Sequence, residues 1–100
     1  MKATYAVLWC GGEAVESGRL EPRTEGLELR GRNRALSIDF TEVTGAAIAR
    51  GADQRLRGLP VLSLLLRGGT ALRIASLEGS GALHELAECI ERAAGLSSAA

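Results

Sequence analysis

Aromatic side chains are nearly absent from this chain: Tyr5, Trp9 and Phe40 are the only three in 100 residues. A surface that stacks single-stranded bases needs more of them. Lysine is scarcer still, with Lys2 alone among eleven arginines, and the twelve basic side chains are cancelled by twelve acidic ones. A net charge of zero removes the broad positive field of a non-specific nucleic-acid binder, so nucleic acid is not expected as a partner. There is one histidine, and the two cysteines, Cys10 and Cys89, fit no CxxC or CxxH spacing. Neither a metal centre nor a cofactor is expected from so thin a ligand set. The two thiols read as small buried hydrophobes of a reduced compartment, with a long-range disulfide as the alternative. No run approaches the ~18 apolar residues of a membrane span. The apolar stretch from Tyr5 to Cys10 is too short for a secretory h-region. A soluble, cytoplasmic protein is expected, and the weight of Arg, Ala, Gly and Leu is that of a GC-rich bacterial genome.

What is present is a core. Apolar residues make up 46% of the chain, enough for one domain and too many for a disordered segment. The dominant period is two, which marks β-strands. Tyr5, Val7 and Trp9 alternate with Ala6, Leu8 and Cys10 up to Gly11-Gly12. A second strand runs from about Ala14 to Glu21 and stops at Pro22. After the turn residues Thr24-Glu25-Gly26, Leu27 and Leu29 define a third. In the fourth, Leu36, Ile38 and Phe40 point inward and Ser37, Asp39 and Thr41 outward, the pattern of a sheet with one wet face. Val43 to Arg50 is a fifth strand. A charged loop, Gly51 to Leu59, leads to Pro60 and a sixth strand, Val61 to Arg67. Gly68-Gly69 supplies a tight hairpin, and Thr70 to Ser76 is the seventh strand.

The period then changes. Leu83, Leu86, Ala87, Ile90 and Ala94 form a helical stripe, with Ser80 as N-cap candidate and Gly95 suited to the position after the helix. Seven strands followed by one helix exclude Rossmann and β/α-barrel enzymes, which need helices between strands. The fold class is mainly β: an antiparallel seven-stranded sandwich or partly open barrel, closed by one C-terminal α-helix over about 80–94. Leu27, Leu29, Leu36, Ile38, Ile48, Leu62, Leu64, Leu66, Leu72 and Ile74 should face inward, with Leu83, Leu86 and Ile90 docked on them.

This order of elements resembles the pleckstrin-homology-like (PH-like) superfold, and within it the small bacterial and GRAM-like members. The likeness runs over about residues 3–94. It is carried by Ser17-Gly18-Arg19-Leu20, by the run from Glu25 to Gly31, by Leu36–Phe40 and Val43-Thr44-Gly45, and by the hairpin Leu64–Ile74 leading into the helix. It implies a single domain over 1–95 with a frayed tail at 96–100, and a binding or scaffold role without catalysis. It also implies a phosphoinositide head group, a peptide or a protein as ligand. Two departures stand out: the helix has no Trp, and the first hairpin turn, Gly11-Gly12-Glu13-Ala14, carries an acid and no base.

Three constellations bear on function. Arg30, Arg32 and Arg34, with Arg67, could fork onto a phosphate group, or the first three could simply keep a solvated turn from pairing. Arg50, Arg55 and Arg57 form a second cluster, expected at the opposite end. His84 stands one helical turn from Glu88, a spacing open to acid–base work, but no nucleophile accompanies it. Gly79-Ser80-Gly81 imitates a dinucleotide fingerprint only until His84 takes the place of the third small residue. The remaining signal is strand six, apolar on both faces. Its outward Val61 and Leu65, flanked by Ala47, Ala49, Ala71 and Ala75, imply a cover. A protein partner is expected there, with a second copy of the chain packed face to face as one form of it. Anionic lipid head groups held by the basic loop are the alternative, and an enzyme is the least favoured reading.

Overall fold

The computed structural model describes residues 4–11, 14–49, 51 and 55–96. Its elements are β1 (Tyr5–Cys10), β2 (Glu16–Pro22), β3 (Gly26–Arg30), β4 (Ala35–Asp39), a 3₁₀ turn (Phe40–Glu42), β5 (Val43–Ala49), β6 (Val61–Leu66), β7 (Ala71–Ser76) and α1 (Ser80–Ala93). All pairings are antiparallel, in the order β4-β3-β2-β1-β7-β6-β5. The expected sandwich or partly open barrel is one sheet curled into a half-barrel, whose edges β4 and β5 do not pair with each other. Alternation decides its inner face. Tyr5, Val7 and Trp9 of β1 join Leu27, Leu29, Ile38, Leu62, Leu64, Leu72 and Ile74 in one buried cluster, with Leu36, Ile48 and Leu66 partly buried against it.

The helix closes this cluster with Leu83, Leu86, Ala87 and Ile90 and packs most heavily on β5. Its C-terminus is as the sequence requires. Gly95 adopts φ 70°, and the Leu96 and Gly95 amides donate to the carbonyls of Glu91 and Arg92, a Schellman closure. Leu96 consequently packs against the core instead of joining the tail; residues 97–100 lie outside the described residues. The N-terminus departs from expectation. Gly79, at φ 103°, is the N-cap and makes no side-chain cap bond, and Ser80 is already the first helical residue. A positive φ at this corner excludes a serine from the cap position at little cost, whereas glycine adopts it freely.

The fourth strand also stops two residues early. The Asp39 carboxylate accepts hydrogen bonds from the Thr41 amide and hydroxyl, both at 2.9 Å, and this turns the chain into the 3₁₀ turn. Phe40 remains buried, so the inward parity holds while the strand does not. Those same two bonds hold the Asp39 carboxyl below its usual range.

Candidate functional site

The outer face of β5, β6 and β7 has two parts. At one end Val61 and Ala75 are 0% exposed, which corrects the expectation that they face a partner. They form a second buried cluster with Leu8, Cys10 and Leu56, against which Val15, Ala49 and Leu59 pack. The β5–β6 connection is the cover: it folds back over this face, closed on itself by two hydrogen bonds between Leu56 and Leu59. Arg57 at φ 50° and Gly58 at φ 80° make its reversal. The apolar outer side of β6 is therefore satisfied within the chain over half its length. The signal for this was present in Leu56 and Leu59, two leucines inside a stretch otherwise read as a charged loop.

At the other end the face is open. Leu65 is 51% exposed, opposite Gly45 on β5 and Ala71 on β7. Ala47 and Ala71 are exposed beside it. Gly45 leaves room for Leu65 to lie flat, since a Cβ there would come within 3.3 Å of Leu65 Cδ1. Of the six residues expected to form an interface, Leu65, Ala47 and Ala71 are on this open part, and Val61, Ala49 and Ala75 belong to the covered part.

The four arginines expected to hold an anion are not gathered into one grip. Arg30 reaches Glu28 at 2.7 Å, and Glu28 is also bound by Arg23 at 2.6 Å; both guanidiniums hold the Glu28 carboxyl below its usual range. Arg34 lies over the Trp9 ring, 5.8 Å from its centroid, a cation–π contact. The Trp9 indole N–H donates to the Arg30 carbonyl at 3.3 Å. Arg67 is elsewhere, donating from Nε to the Thr41 carbonyl at 2.9 Å while its amide donates to Glu42. It fastens the β6–β7 hairpin to the 3₁₀ turn. Among the described residues only Arg32 of the four is without a partner group, and it meets an arginine that was expected at the opposite end. Arg57, carried across by the covering loop, joins Arg32 and Asn33 around a shallow concavity that also contains Glu16 and Ser17. Arg55 is exposed; Arg50 lies outside the described residues, as do Gly12 and Glu13 of the first turn.

His84 is exposed on α1, with Nδ1 2.8 Å from the Ser80 carbonyl, so Nδ1 carries the proton that is donated there. Cys10 is buried and Cys89 half-buried, and the two are not joined in a disulfide. Among the described residues no helix is long and apolar enough to cross a membrane. A depression of about 570 Å³ opens beside β3 and β4. Glu25, Asp39 and Glu42 on its walls give it an acidic character unsuited to phosphate.

No family model matches the chain, and no curated protein matches it. Solved structures do. The C-terminal domain of an unknown protein from Leishmania infantum aligns at TM-score 0.65 and 14% identity, over 87% of this chain and 80% of that one. A chain of the Spt16D–Pob3N heterodimer aligns at TM-score 0.70 and 15% identity, over 95% of this chain and 53% of that one. The domain thus spans about half the length of the second match. Likeness at such identities is one of fold, and the curled antiparallel sheet with its C-terminal helix is consistent with the PH-like architecture of that second match.

Proposed function

We propose that the chain is a non-catalytic protein-binding module of the PH-like class, related to its small bacterial and GRAM-like members, and that its contact surface is the open outer face around Leu65. The observation that carries this reading is the contrast along one strand. The chain covers Val61 with its own loop and leaves Leu65 half-exposed on a floor of Gly45, Ala47 and Ala71. A large apolar side chain on small, flat surroundings lets a partner approach closely and bury it, which contributes roughly 1.5–3 kcal/mol per side chain. That the second structural match is a heterodimer agrees with a protein partner.

The second reading, anionic head groups held by Arg32 and Arg57, is favoured by their shared concavity and weakened by Glu16 within it. Two experiments separate the readings. Affinity capture from the native cell extract should retain a protein on the wild-type chain and lose it on Leu65→Glu. Sedimentation with phosphatidylserine vesicles should leave the chain in solution. Salt-sensitive sedimentation abolished by Arg32→Ala/Arg57→Ala would overturn the first reading in favour of the second.

A further inference from the structure

The two edges of the half-barrel are not equally protected. The β5 edge carries a register shift between Val43 and Gly45 and lies under the helix, both devices that keep a foreign strand away. The β4 edge has neither. From Ala35 to Ile38 it contains no charge, no proline and no bulge. Its hydrogen-bonding direction can be read from the adjacent turn. The Phe40 amide donates to the Glu25 carbonyl, so in the alternating antiparallel ladder Ile38 and Leu36 occupy the bonded pairs with β3. The N–H and C=O groups of Ala35 and Ser37 and the N–H of Asp39 therefore face the open edge, while the Asp39 carbonyl accepts the first bond of the 3₁₀ turn. All three residues are exposed.

Charge is distributed unevenly along that edge. Arg32 and Arg34 stand before β4, while Asp39 and Glu42 stand at and beyond its end, with Glu25 on the neighbouring turn. Among the described residues none of these three carboxylates is in an ion pair. A parallel or slipped neighbour would set like charges together. An antiparallel neighbour of the same sequence would do the opposite.

We propose that β4 pairs with β4 of a second copy, antiparallel about a twofold axis at Ser37, joining two half-barrels into one continuous sheet. In this register Ser37 faces Ser37 of the other copy, and each Ala35 faces the other copy's Asp39. The Ser37 pair exchanges two hydrogen bonds and each Asp39 amide donates to the facing Ala35 carbonyl, about four bonds between the chains. The turn holding Arg32 and Arg34 comes beside the other copy's Phe40–Glu42 turn, so acids meet bases at both ends. The inner faces stay on the same side, because Leu36 falls opposite Ile38. An edge contact of this kind buries less than the surface of a standard interface, so the dimer is weak and reversible. The inference is independent of the Leu65 surface, which lies on the outer face beyond β7.

The test uses one added charge at two positions. Sedimentation equilibrium of the full chain over a concentration series should show a monomer–dimer equilibrium that weakens with salt. Ser37→Lys sets lysine against lysine at the axis and should weaken the dimer about tenfold. Ala35→Lys sets lysine opposite Asp39 and should tighten it about threefold. Both sites are exposed, and Trp9 fluorescence checks that each variant is folded. Leu65→Glu should leave the equilibrium unchanged. A monomer at every concentration, equal weakening by both lysines, or dissociation by Leu65→Glu would each overturn the proposal.

Discussion

Gly18 shows how the absence of a side chain can decide a strand. It pairs with Val7 on β1, and a Cβ added to it would lie 1.7 Å from the Arg30 carbonyl oxygen. Backbone, not a flexible side chain, occupies that space. Gly18→Ala must push β3 away from β2 and should destabilise the domain by at least ~2 kcal/mol, read by urea denaturation; an unchanged midpoint would show that the strands are further apart than the structure places them. Tyr5 offers a different readout. Its ring is buried, and its hydroxyl donates to the Glu85 carboxylate at 2.9 Å. Burial first, and the acceptor carboxylate second, push its pKa from 10.0 up to about 12. Because the folded value lies above the unfolded one, this contribution to stability is complete below pH 10 and is lost as pH rises towards 12. Tyr5 is the only tyrosine, so tyrosinate absorbance reports it alone. A midpoint near 10 in the folded protein would contradict the contact. Neither feature was legible in the sequence. A glycine in a strand pattern and a tyrosine at its start are ordinary until a distant backbone or a helix is brought against them.

Elements were far more legible, because period and turn chemistry are local. The strands follow from alternation, or in β6 from a short apolar run between Pro60 and Gly68-Gly69, and the helix from its Leu83, Leu86 and Ile90 stripe. Leu86 is fully buried, and Leu86→Ala should cost about 2–5 kcal/mol. A loss below ~0.5 kcal/mol by thermal denaturation would show that the helix does not close the barrel. The covering loop left only two leucines as its signal. Leu56 and Leu59 are too close together to declare a period, and their partners Leu8, Cys10 and Ala75 come from remote strands. The sequence implied correctly that the outer side of β6 needs a cover, but intrachain and interchain covers leave the same apolar pattern. The loop's role is testable through Cys10, 3% exposed beneath it. In a Cys89→Ser background, Leu56→Ser should make the Cys10 thiol react with Ellman's reagent much faster than in the parent. Equal rates would mean that the loop does not shield it.

At the scale of the whole molecule, a chain of zero net charge separates its charges in space. Arg32 and Arg57 gather at one concavity, while Glu25, Asp39 and Glu42 line another. Composition could cancel the charges but not place them, which is why Arg57 was expected away from Arg32 and Arg67 near it. The curl of the sheet and the returning loop reverse both expectations. The open apolar part of the outer face is centred on Leu65, and the proposed binding role rests on it. An amide-resolved NMR titration of the labelled chain with its captured partner tests that role most directly. Binding at the proposed surface shifts Ala47, Leu65 and Ala71 and leaves Arg32, Asn33 and Arg57 in place; shifts confined to the three polar residues, with Leu65 unmoved, would contradict it.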